Sequence, residues 1–187
     1  RYVDGRTASV TVIRLEDERE YRVIYTNGKP DASLVLNRYP EDRDPSQGPD
    51  IAGDEPNQIL VGLIPMMIRP DATDAALIGF GSGVTCHVLL ASPTLKRLDT
   101  IEIEPEMVES SKNFLPVNER AYTDPRNHFW FDDAKAYFAG AAQKYDFIVS
   151  EPTNPWVSGV SSLYTVEFSR EAKRYLKPSG VLAQWPR

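Results

Sequence analysis

From residue 75 onward the chain alternates short, largely apolar runs with segments of helical spacing, and this alternation limits the fold more than any other feature. Runs at 75–79, 97–102, 128–131, 145–150 and 181–184 have the length and the β-branched or aromatic content of buried strands. Stretches at 84–91, 105–114, 134–142 and 166–176 separate them and read as helices. A strand buried on both faces needs a covering layer on each side, and a helix between successive strands supplies it while keeping them parallel. The pattern therefore predicts an α/β domain, a Rossmann-like doubly wound parallel sheet.

Upstream the period changes. Residues 7–14 and 20–26 alternate apolar with polar side chains, Asn27-Gly28 is a favoured tight-turn pair, and a short third strand follows near 32–36, which predicts a small antiparallel sheet. Residues 38–57 are dense in Pro, Asp, Gly and Asn and read as a linker. The expected division is an N-terminal hairpin region with its linker over 1–57 and a Rossmann-like nucleotide-binding domain over 58–187. Residues 58–68 read as a helix bent or ended by Pro65, with Met66, Met67 and Ile68 as a core stripe.

Composition removes several function classes. Lys and Arg number 21 against 27 acids, a formal charge of −6, so no general field attracts nucleic acid or anionic lipid. Cys86 is the one cysteine, and His87 and His128 are the only histidines, which predicts neither disulfides nor a metal site. No run of about 18 apolar residues suggests a spanning helix. The first residues, RYVDGRTASV, lack the features of a signal peptide, so a cytoplasmic location without membrane contact is expected of this stretch.

The candidate site begins at Gly79-Phe80-Gly81-Ser82-Gly83, between a strand and a helix. Glycines there allow a sharp turn and let a ligand approach the backbone; alone, such a turn is compatible with no ligand at all. Glu102, at the end of the next strand, is placed to accept hydrogen bonds from ribose hydroxyls, whereas Glu104 before Pro105 reads as a solvated acid at a helix start. Asp132 is the candidate for an exocyclic adenine amine, and Asp133, though beside the same crevice, suits a helix cap better. Glu151 follows the fourth strand, where it is either a general base or the cap of a turn. Asn154 and Trp156 are either substrate contacts or structural anchors, the run 157–162 either a flap or a plain connection, and Cys86 a packed apolar group. The spacing G-x-G-x-G, with no Tyr-Lys or His pair for hydride chemistry, argues against an NAD-dependent dehydrogenase.

Three segments in order, GFGSG (79–83), IEIEPEMVESSKNFLP (101–116) and YDFIVSEPTNPW (145–156), resemble the spermidine synthase family and its bacterial relatives, as do NGKPDAS (27–33) and Gln58-Ile59-Leu60. The resemblance implies a class I methyltransferase-type fold that binds decarboxylated S-adenosylmethionine and transfers its aminopropyl group to a polyamine such as putrescine, without a metal. It implies ribose at Glu102, adenine at Asp132, the sulfonium side near Gln58, and the glycine turn (Gly79, Gly81, Ser82, Gly83) around the ligand. It also implies a small-molecule amine partner and a homodimer formed through the N-terminal sheet. The sequence departs from the family at four amine-side positions. The loop acid of a GGGDGG pattern is Ser82; a DSSDP-type segment keeps its first acid as Glu151 and has Asn154 for the second; Asn57 replaces a tyrosine and Ala8 a glutamine. A dication bound out of water needs opposed carboxylates, so these changes leave two alternatives open: an S-adenosylmethionine methyltransferase with another acceptor, and a non-catalytic nucleotide-binding module.

Overall fold

The structure is a computed structural model and describes residues 1–15, 19–38, 44, 46, 48–152 and 160–185. Strands β1 (Tyr2–Asp4), β2 (Ser9–Arg14), β3 (Tyr21–Thr26) and β4 (Lys29–Val35) form the expected antiparallel sheet in that order. Asn27 and Gly28 turn the chain between β3 and β4 with φ of 51° and 75°, the left-handed geometry that a two-residue hairpin needs. β1 was not legible because three residues are too few to display an alternation. The apolar face of the sheet does not close on itself: Val10, Val12, Ile24, Ala32 and Leu34 pack against Val84, Met107 and Phe114 of the following domain.

Helix α1 (Glu55–Ile68) starts three residues before the expected position, with Pro56 in its first turn, where the missing N–H costs nothing. Pro65 lies one turn from the C-terminus, and its carbonyl accepts the Arg69 N–H at 2.9 Å. The stripe expected to be core is core only in part: Met66 packs inward, but Met67 and Ile68 are 71% and 57% exposed, because three consecutive residues span too wide an arc to share one buried face.

The second domain runs β5 (Asp74–Ile78), α2 (Val84–Leu89), β6 (Arg97–Ile101), α3 (Pro105–Ser110), α4 (Arg120–Thr123), β7 (Asn127–Trp130), α5 (Ala134–Gly140), β8 (Tyr145–Ser150), α6 (Val166–Ala172) and β9 (Leu176–Gln184). The five strands are parallel in the order β7-β6-β5-β8-β9. Leu77, Leu98, Phe147 and Val149 point into one apolar cluster with α1 and α2, while Ala76, Ile78, Ile101 and Ile148 point into another with α5 and α6. β9 begins five residues earlier than expected, since α6 ends at Ala172 and a single 3-10 turn leads into the strand.

Two buried carboxylates brace the parallel sheet, Asp99 in the middle of β6 and Asp146 near the start of β8. Asp99 accepts from Arg97 Nε at 2.9 Å, Trp130 Nε1 at 2.9 Å and Tyr145 OH at 2.8 Å. Asp146 accepts from the Thr73 and Asp74 N–H groups at 2.9 and 3.0 Å and from Lys177 Nζ at 2.8 Å. The chain leaves β5 toward β6 on one side while β8 and β9 lie on the other. That reversal opens a crevice beyond the carboxyl ends of β5, β6 and β8.

Candidate functional site

The glycine turn is held by its own conformation and by three side chains beneath it. Gly79, Gly81 and Gly83 have φ of 86°, 52° and 82°. At Gly79 a Cβ would lie 2.4 Å from the Glu151 carbonyl oxygen, so the absence of a side chain lets β5 and β8 end in contact. Ser111 Oγ donates to the Gly81 carbonyl, Asn118 Nδ2 to the Ser82 carbonyl at 2.7 Å, and Ser82 Oγ to Gln58 Oε1. Gln58 Nε2 in turn donates to Asp54 at 2.9 Å, and Asp54 accepts from the Ser33 N–H of β4 at 3.0 Å. A continuous polar chain thus joins the glycine turn, α1 and the N-terminal sheet.

A cavity of about 210 Å³ lies over this turn. Gln58, Gly79, Gly81, Ser82, Glu102, Asp132, Asp133 and Glu151 all line it, so the residues singled out in sequence converge on one space. Gly83 does not line this cavity; it is the left-handed N-cap of α2, where a Cβ would meet the Phe80 ring at 2.7 Å. Asn154, Trp156 and residues 157–159 lie outside the described residues.

Glu102 is 8% exposed, and its two oxygens accept the N–H groups of Phe80 and Glu104, each at 2.9 Å. Burial pushes its carboxyl up to about 7; the backbone N–H groups pull the other way, and the charge of Asp31 adds to the rise. Asp132 is exposed on the cavity rim and accepts the Asp133 N–H at 2.8 Å. Asp133 caps α5, accepting the N–H groups of Lys135 and Ala136 at 2.9 and 3.2 Å. Glu151 reaches the cavity from the end of β8, and its N–H donates to the Ile78 carbonyl at 2.8 Å.

Glu104 is not the solvated acid that its position before Pro105 suggests. It is 3% exposed, and Oε2 accepts the Thr7 N–H at 2.6 Å, the Thr7 hydroxyl at 2.9 Å and the Ala8 N–H at 3.1 Å. Its other oxygen caps α3 through the Glu106 N–H at 3.1 Å. Burial alone would raise this carboxyl, but the hydrogen bonds from Thr7, Glu106 and Ala8 outweigh it and hold the group below its ordinary value. Thr7, Ala8 and Asp31 of the N-terminal sheet complete the cavity wall; Ala8 is the amine-side position that the resemblance implied, whereas Thr7 and Asp31 are revealed only by the folded contact.

Cys86 is fully buried, its thiol is pushed up to about 12 by burial, and it packs against Thr100, which fits the structural role read from sequence. Among the described residues no group of three or more His, Cys, Asp or Glu is arranged to hold a metal, and no helix is long and apolar enough to cross a membrane.

Residues 57–185 match the family model of the spermine/spermidine synthase domain. The chain is 32% identical over 121 residues to the polyamine aminopropyltransferase of Nitrosomonas europaea, covering 64% of this chain and 37% of that one. Over 123 residues it is 31% identical to the enzyme of the same name from Alkaliphilus oremlandii, covering 66% and 43%. The chain therefore spans about two fifths of the length of these curated relatives. Among solved structures, a spermidine synthase in complex with the transition-state analogue AdoDATO superimposes with a TM-score of 0.76 at 18% identity, covering 97% of this chain and 57% of that one. The spermidine synthase of Thermotoga maritima gives 0.73 at 18% identity, covering 97% and 56%. A family match over more than half of the chain, on a parallel sheet whose glycine turn and strand-end acids meet in one cavity, settles the relationship: the chain belongs to the spermine/spermidine synthase family.

Proposed function

We propose that this chain carries the donor site of a polyamine aminopropyltransferase and holds decarboxylated S-adenosylmethionine in the cavity above the glycine turn. The observation that carries the reading is the convergence of Gly79, Glu102, Asp132 and Glu151 on that one cavity. The names of the relatives support the same activity. Glu102 binds the ribose hydroxyls, and its two N–H partners fix the carboxylate for that purpose. Asp132 accepts from the exocyclic amine of adenine. The donor supplies an electrophilic methylene beside a sulfonium. An amine lone pair forms the new C–N bond there, and the electrons of the broken C–S bond go to sulfur, which leaves neutral 5′-methylthioadenosine. Glu151, at the carboxyl end of β8, takes the proton that the attacking nitrogen loses.

One observation favours S-adenosylmethionine as a second donor. Ser82 stands where the family carries an acid, and its hydroxyl is committed to Gln58 and the Val84 N–H, so no charge in the loop repels the carboxylate of the undecarboxylated nucleotide. Calorimetry with both nucleotides, followed by product analysis with putrescine, tests the two readings. Heat with the decarboxylated form and formation of 5′-methylthioadenosine are expected, with turnover lowered at least a hundredfold in Glu151→Gln. No heat with either nucleotide at millimolar concentration would refute the donor site, and unchanged turnover in Glu151→Gln would refute the base.

A further inference from the structure

Next to the cavity above the glycine turn lies a second, wider one of about 680 Å³. Asp31, Ala32, Gln58 and Glu151 line both, and so mark the junction. Beyond it the wall is mostly apolar and aromatic, with Ile13, Leu15, Tyr21, Val23, Tyr25 and Trp185, and its polar part holds Asn57 and the Asp54 carboxylate, which already accepts from Ser33 and Gln58. Among the described residues no Lys or Arg lines either space.

Negative charge at this junction comes from two parts of the chain. Glu151 directly follows β8, and Asp31 lies in β4 of the N-terminal sheet. Thr26 Oγ1 donates to Asp31 Oδ2 at 3.1 Å across the β3–β4 turn, which orients the carboxylate. Asp31 also lies close enough to Glu102 for its charge to act on that buried group. The glycine turn contributes no charge here, because Ser82 occupies that position. An alkylammonium held where the two spaces meet is therefore within the walls that carry both carboxylates, with a mostly apolar wall beyond for its methylenes.

We propose that Asp31 is a substrate-binding carboxylate that holds the attacking amine at the junction that it and Glu151 both line, with the aliphatic chain of the amine lying along the apolar wall of the second cavity. The assignment rests on the donor-site reading above and divides the labour: Asp31 receives the ammonium form, and Glu151 takes the proton that must leave before attack.

The test uses the whole chain. Titration of 5′-methylthioadenosine into wild type and Asp31→Asn measures the nucleoside side; titration of putrescine into each protein saturated with that nucleoside measures the amine side. The expected result is a Kd for putrescine at least tenfold weaker in Asp31→Asn, a loss at least fivefold larger than any change in the nucleoside Kd, with an unchanged melting temperature. In turnover, KM for the amine rises in Asp31→Asn while kcat stays within threefold, whereas Glu151→Gln loses kcat. If the wild-type chain binds no nucleoside, the donor-site reading fails and this assignment falls with it. If the nucleoside binds but putrescine does not, or binds both proteins equally well, or if Asp31→Asn loses nucleoside affinity instead, the assignment of Asp31 alone is overturned.

Discussion

Replacing Glu104 with Gln should loosen the N-terminal sheet from the nucleotide cavity. One oxygen of this carboxylate accepts three hydrogen bonds from Thr7 and Ala8, and the other caps α3. Hydrogen bonds to a charged acceptor are worth about 1.5–3 kcal/mol each, and a glutamine can present its single oxygen to only one of the two sides. Its amide nitrogen would then face an N–H donor on the other. Thr7 is exposed, so water can satisfy part of what is freed, and the net loss should be about 1–3 kcal/mol. For a domain of this size that corresponds to a melting temperature lower by roughly 3–10 °C. Amide exchange at Thr7 and Ala8 should accelerate first. Because both residues line the cavity, nucleoside affinity should fall in parallel. Gly5→Ala provides an independent route to the same state, since its Cβ would lie 2.3 Å from the Glu104 carboxyl. Wild-type exchange rates at Thr7 and Ala8 in Glu104→Gln, with a melting temperature within a degree, would refute the reasoning.

The remaining predictions concern the charge and the backbone of the site. Glu102 titrates near 7 in the fold against an ordinary value of 4.5, so the native state holds a proton that the unfolded chain releases between those limits. Stability should therefore fall as pH rises from 5 to 8, by roughly 3 kcal/mol from this group, and urea denaturation of Glu102→Gln should lack that component; equal pH slopes would contradict it. Gly79→Ala would force a positive φ on a residue with a side chain and place its Cβ 2.4 Å from the Glu151 carbonyl, so the ends of β5 and β8 must separate. A stability loss of at least about 2 kcal/mol and loss of nucleoside binding are expected, and retention of both would show that this close approach is not needed.

Where the determinants are local, the sequence was legible. The glycine turn, the acids at the ends of β6, β7 and β8, and the Asp133 cap each follow from a short pattern, and the structure puts them where the pattern implies. Determinants that depend on contacts across the fold were not. Glu104 has the local context of a surface cap, yet its partners are about a hundred residues away in a turn with no pattern of its own. Asp31 follows a tight turn and reads as a hairpin residue until β4 is packed over the crevice. Met67 and Ile68 are apolar, which periodicity assigns to the core, but the direction in which α1 faces is fixed by Val61 and Gly62 packing against the domain.

A crystal structure of the chain soaked with 5′-methylthioadenosine would probe the heart of this account. The prediction is a nucleoside lying over Gly79 and Gly81, with its ribose hydroxyls on the Glu102 carboxylate and its adenine amine within hydrogen-bond reach of Asp132. Density for the nucleoside elsewhere, with the cavity holding only water, would contradict it.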